Sequence, residues 1–226
     1  MKRALFLAAM MATSGWAAVT YTFSSNNYST ITNFTSCSVG PCASYTSAMN
    51  ISGSFTLAAA LPPNFSGATD ISSQIIAYSF SDGITTYANT DPKARIYQWS
   101  LVTDGSGNIT IGSILIEVWQ TGTSPHAVGD RFALVNLNGP SINQAENNLR
   151  CSTVGGGTAS GVTDLCVLGT SDASSSVASA TSGSFSGVTP SAPPPPATPA
   201  PPSLLLILAG LTGCGLYLLA RRRQAY

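Results

Sequence analysis

Apolar and polar residues alternate with a period of two through much of the middle of the chain, the pattern of strands with one buried face. VTYTF puts Val19, Tyr21 and Phe23 on one side with threonines opposite, and ISGSFTL from Ile51 repeats it. QIIAYSF places Ile76, Tyr78 and Phe80 together, and IYQWSLV does the same for Tyr97, Trp99 and Leu101. The Gly-rich TDGSGN predicts a turn into a long strand, ITIGSILIEVWQ. There Ile109 and Ile111 share one parity and Ile114, Ile116 and Val118 the other, so a bulge at Gly112 is expected to keep them on one face. RFALVNL from Arg131, DLCVLG from Asp164 and GSFSGV ending at Val188 complete the set.

Helical periodicity with caps is missing from this region; SINQAENNLR could form at most a helix of about two or three turns. About eight short strands with Gly, Ser, Thr and Asn at the turns predict an all-β fold, an antiparallel β-sandwich or jelly-roll-like ectodomain. Tyr21, Phe55, Phe80, Trp99 and Trp119 are the expected core. ISGSFT at Ile51 and TSGSFS at Thr181 share a Ser-Gly-Ser-Phe core, too short for a duplication and read as two similar strands.

Both ends break the pattern. Lys2 and Arg3 precede an apolar stretch from Ala4 to Ala12 and then small residues, the parts of a secretory signal over residues 1–17 with cleavage after Ala17. That stretch is too short to cross a hydrocarbon layer about 30 Å thick. The ectodomain is then 18–188. Residues 189–202 turn Pro-rich (TPSAPPPPATPAPP), which favours an extended, semi-rigid linker. Leu204 to Ala220 is an apolar run. As a helix at 1.5 Å per residue it spans about 26 Å, so residues 203–220 are expected to cross a membrane once. Arg221, Arg222 and Arg223 begin a basic tail, 221–226, held in the cytoplasm by the positive-inside rule. Cys214 inside the run reads as a small apolar filler.

The order of Pro199-Ala200-Pro201, then Ser203 to Ala220, then Arg221 to Arg223 resembles the PEP-CTERM sorting signal of Gram-negative bacteria. The resemblance covers only this tail, and it departs at the centre of the motif, where Ala200 stands in place of Glu. It implies recognition by an exosortase, a membrane-embedded processing enzyme, at the outer face of the inner membrane. The stretches GSFTLAAALPPN, SFSDGITTY and TDGSGNIT also look like ectodomains that accompany such tails, a resemblance that implies no activity.

Charge changes the picture once the ends are set apart. The chain of 226 residues is formally neutral. Only Lys93, Arg95, Arg131 and Arg150 remain between the ends, however, against all nine acidic residues, leaving −5. Nucleic acid is thereby excluded as a partner, because binding phosphate needs a basic face. Export also means an oxidising compartment, so Cys37, Cys42, Cys151 and Cys166 are read as disulfides. Four cysteines allow three connectivities, of which the two local pairings are favoured. A zinc site is disfavoured, with no CxxC pair and a single histidine.

Chemistry is sparse. His126 has no G-x-S-x-G serine to serve and reads as a surface loop residue. Asp82, Asp104 and Asp130 sit in turn contexts. Asp104, Ser106 and Asn108 have calcium-loop spacing, but Ile109 and Leu115 stand where such a loop needs Gly and Glu. Glu117 and Glu146 are the only glutamates, and hydrolysis of a glycoside would require folding to bring two carboxylates to one concave pocket. No cofactor and no catalytic residue are expected. The sequence therefore points to an exported cell-envelope or matrix protein, structural or adhesive and not an enzyme, with a membrane anchor and an exosortase as partners. The alternative is a carbohydrate-binding module on exopolysaccharide, marked by Trp119 or Tyr87 facing solvent; an envelope hydrolase is the third reading.

Overall fold

The computed structural model describes residues 18–67, 70–156 and 163–190, with side chains to Gly187. The signal segment, Pro199 to Pro201, the 203–220 run and Arg221 to Arg223 lie outside the described residues. Among the described residues no helix is long and apolar enough to cross a membrane.

Twelve strands form among the described residues: β1 (Val19–Ser25), β2 (Thr30–Thr32), β3 (Ser52–Leu57), β4 (Ile75–Ser81), β5 (Thr86–Ala88), β6 (Ala94–Thr103), β7 (Ile109–Trp119), β8 (Arg131–Leu137), β9 (Asn143–Gly155), β10 (Leu165–Thr170), β11 (Ser176–Ala180) and β12 (Gly183–Pro190). They build two antiparallel sheets, a five-stranded one in the order β12-β1-β3-β4-β5 and a seven-stranded one in the order β2-β11-β9-β8-β7-β6, with β10 also on β9. The two Ser-Gly-Ser-Phe strands, β3 and β12, flank β1 on either side. Strand β12 runs to Pro190, two residues past the expected edge of the domain.

Alternation works as anticipated in β1, where Val19, Tyr21, Phe23 and Ser25 are buried in turn. One core joins the sheets, and Trp99 of β6 is its centre. Phe55 lies edge-on to it at 5.2 Å, with Tyr78 at 5.5 Å and Phe80 at 6.1 Å, all three from the opposite sheet. Ring pairs of this geometry add about 0.5–1.5 kcal/mol beyond the area they bury.

Four expectations are corrected. Ile76 does not join Tyr78 and Phe80: it is an extra residue between the Leu57–Ile75 and Thr56–Ala77 pairs and is 54% exposed, while Ile75 packs on the core. SINQAENNLR is not helical: it lies largely in β9, the longest described strand at 13 residues, because Ala145 faces the core while Gln144 and Glu146 face out. The β7 bulge falls at Thr110, since Ile111 pairs Val102 and Ile109 pairs Thr103; Ile109 packs inward and Ile111 is 51% exposed. Gly112 has a different duty, because a Cβ there would come within 2.6 Å of the Phe185 ring. Finally, Tyr97 does not join Trp99 on the core face. A register shift between Ile96 and Gln98 inserts it as an extra residue and turns it to the outer face.

Two disulfides form, Cys37–Cys42 within the loop after β2 and Cys151–Cys166 between the paired strands β9 and β10, with sequence separations of 5 and 15. Loop-closure entropy gives them about 2 and about 3 kcal/mol of stabilisation.

Candidate functional site

The pairing register of the seven-stranded sheet sets one outward row across four strands: Arg95 opposite Glu117, Glu117 opposite Leu134, and Leu134 opposite Glu146. The inward row beside it, Ile116, Val135, Ala145 and Ala178, is wholly buried, which fixes the parity. Both glutamates therefore emerge on one face, flanking Leu134, with Cα atoms about 9.6 Å apart at two strand spacings. They line a groove of about 270 Å³ whose apolar surface comes from Leu115, Phe132, Leu134, Leu149 and Val167, with Tyr97 at one side.

Tyr97 reaches this groove through the β6 bulge, and a second bulge shapes the other flank. In β9, Asn147 and Asn148 together oppose Ala133, and Asn148 takes φ +59°, so Leu149 emerges on the outer face beside Phe132. Trp119, Phe132, Leu149 and the Cys151–Cys166 disulfide form a small apolar cluster there, separate from the main core. Trp119 was expected in the core and is as buried as anticipated, but in this second cluster.

Glu117 is 1% exposed. Its Oε2 accepts the Cys166 N–H at 3.0 Å, while Oε1 has no hydrogen-bond partner among the described residues. Burial pushes its carboxyl up to about 8, against the opposing pull of the Cys166 N–H and of Arg95. Because Oε2 accepts a hydrogen bond, the proton belongs on Oε1. Burial raises Glu146 as well, and its Oε1 accepts Gln144 Nε2 at 2.7 Å.

Arg95 does not neutralise Glu117 directly. Its Nε and Nη2 donate to the two oxygens of Asp164 at 2.9 and 3.2 Å, and its Nη1 donates to the carbonyls of Pro92 and Ala94. Asp164 also accepts Ser124 Oγ at 3.1 Å and pairs with His126 Nδ1 at 2.9 Å. Arg95 foremost holds its carboxyl well below the usual range. Trp119 Nε1 donates to the Asp164 carbonyl at 2.9 Å and the Trp119 ring stacks on His126 at 4.4 Å. His126 is thus buried rather than a surface residue. Ser124 donates to the aspartate and not to the imidazole, so the trio has no serine relay to a base. It braces the chain ahead of β10 against β6 and β7.

The other acids have structural duties. Asp82, fully buried, accepts the hydroxyls of Tyr45 and Tyr87 at 2.9 and 2.8 Å and caps the following turn through the N–H groups of Ile84 and Thr85. Asp104 accepts the N–H of Ser106 and of Asn108 as a turn does, with Asn108 Nδ2 holding the other oxygen. Asp130 accepts the Ala127 N–H. Tyr87 is fully buried and Trp119 is 1% exposed, so neither faces solvent. Among the described residues no three His, Cys, Asp or Glu side chains are grouped to hold a metal ion. No protein-family model, curated protein or solved structure matches the chain.

Proposed function

We propose that the chain is an exported protein of the cell envelope or extracellular matrix, structural or adhesive and not catalytic, carried out by its N-terminal segment and sorted by its PEP-CTERM-like tail. The observation that carries this reading is the pair of disulfides, which fit an oxidising compartment outside the cytoplasm. The remainder rests on the sequence: a Pro-rich spacer, an apolar run that stops in the inner membrane as a transmembrane helix, and three arginines. The β-sandwich is held off the membrane by the spacer until a cut near Pro201 releases it. Co-expression of the full chain with an exosortase tests the sorting step. A C-terminally shortened product recovered outside the inner membrane is expected; a tail that persists intact in the enzyme's presence contradicts it.

The carbohydrate-binding alternative loses its marker, since Trp119 and Tyr87 are both buried. The hydrolase reading gains one, because Glu117 and Glu146 do line a single groove. A glycoside hydrolase needs one protonated and one ionised carboxyl, with environments that push the two apart. Here burial raises both. The groove suits binding better than acid–base chemistry.

A further inference from the structure

We propose that the Glu117–Glu146 groove is a binding site for a small organic cation, a primary ammonium on a short methylene or hydroxylated body. The inference goes beyond export and sorting and stands on separate observations. The first is Glu117 Oε1, an oxygen of a side chain 1% exposed that lacks any partner among the described residues, in a residue that lines the groove. A polar atom left in that state costs free energy until a hydrogen-bond partner reaches it. The second is that the only two glutamates in the chain bracket one leucine, so two acceptors flank an apolar floor.

Other ligand classes fit worse. An anion finds no free cation among the groove's described residues, as Arg95 is committed to Asp164 and to two backbone carbonyls. A divalent metal wants six or more oxygen ligands, and the groove brings two carboxylates. A flat sugar ring wants an exposed aromatic platform, but Phe132 is 2% exposed, Trp119 is packed beneath His126, and the half-buried Tyr97 stands at one side of the groove. Once Glu117 gives up its proton, an ammonium supplies the donor that the bare Oε1 then lacks, makes a charge-assisted bond with each carboxylate it meets, and rests its stem on Leu134.

Binding an ammonium requires Glu117 to ionise, and this gives the site a pH signature. The groups that face Glu117 are Arg95 and Tyr97 from β6, Glu146 from β9 and Asp164 ahead of β10; β8 contributes only Phe132 and Leu134. Asp164 is held ionised by its pairing with Arg95, so Glu117 and Glu146 govern the profile. With the Glu117 carboxyl up at about 8, affinity for a primary alkylammonium should rise about tenfold from pH 7 to pH 9 and fall again as the amine itself loses its proton at about pH 10. A neutral hydroxylated ligand that accepts the Oε1 proton would show the opposite slope.

The test is calorimetric titration of the exported chain with its tail intact, in mild detergent, with 1,5-diaminopentane, against 1,5-pentanediol as the neutral match. The expected result is binding of the diamine with the rising profile, at least tenfold loss in Glu117→Gln and in Glu146→Gln, and no change in Asp104→Asn. Nα-acetyl-lysine methylamide and glucosamine, compared at about pH 7 where both amines are mostly protonated, then separate a peptide from an amino-sugar source, the tighter of the two identifying it. The proposal is overturned if the diol binds as well as the diamine, if both glutamine variants bind normally, or if the wild-type profile is flat or falls between about pH 7 and pH 9. Because that profile uses the unaltered protein, it decides the matter even where a variant fails to fold. None of these outcomes depends on where the tail is cut.

Discussion

At the scale of single residues, Glu117 sets an unusual pH dependence. Its folded carboxyl is raised from 4.5 to about 8, so the folded chain keeps a proton that the unfolded chain releases. The contribution is full below the unfolded value and is lost as pH climbs through 8, at a slope of at most about 1.4 kcal/mol per unit. Glu146 adds in the same direction. Asp164 and Asp172, held low chiefly by Arg95 and Arg131, act in another window and lose their contribution below about pH 4. Thermal melts should therefore peak near pH 5 and decline toward pH 8, and Glu117→Gln should flatten that decline; an equally steep fall in the variant would show that Glu117 is not its source. None of this was legible in the sequence. Glu117 and Glu146 meet only because the β7–β8–β9 register places them on one row, and His126 finds Asp164 across 38 residues of chain.

At the scale of elements, alternation revealed β1, β3 and β8, where the inward positions are mostly apolar, and it failed where a strand inserts a residue. Tyr97, Thr110 and the Asn147–Asn148 pair each shift the parity of the rest of their strand, and a period of two has no means of announcing this. The short strands β2 and β5, three residues each, carry too little pattern to notice. The β9 bulge is held by Asn148. Its Nδ2 donates to the carbonyls of Val39 and Ser174 at 2.7 and 2.8 Å, and its own carbonyl accepts Arg131 Nη1 and Ser175 Oγ. This one side chain ties the Cys37–Cys42 loop and the β10–β11 connection to β9. Asn148→Ala removes two buried bonds and leaves a β-carbon at positive φ without the side chain that favours it, so about 2–4 kcal/mol should be lost. Urea unfolding at neutral pH measures it; a loss under about 0.5 kcal/mol, the range of ordinary surface changes, would remove Asn148 from this role.

At the scale of the whole molecule, the all-β class and the candidate core were readable because burial of Tyr21, Phe55, Phe80 and Trp99 is written in local pattern. The groove was not, since it is made by register and bulges. The surface left over is Ser/Thr-rich and acidic, with most aromatics withdrawn into two clusters, which suits an exported scaffold more than a ring-stacking lectin. Export is the premise that unites the disulfides with the two terminal segments. Intact-mass spectrometry of the protein recovered from outside the cytoplasm, without reductant, tests it most directly. The expected species begins at Ala18 and is lighter than its reduced form by the hydrogens of two disulfides. A chain retained in the cytosol, still starting at Met1 and carrying free thiols at Cys37, Cys42, Cys151 and Cys166, would contradict the account.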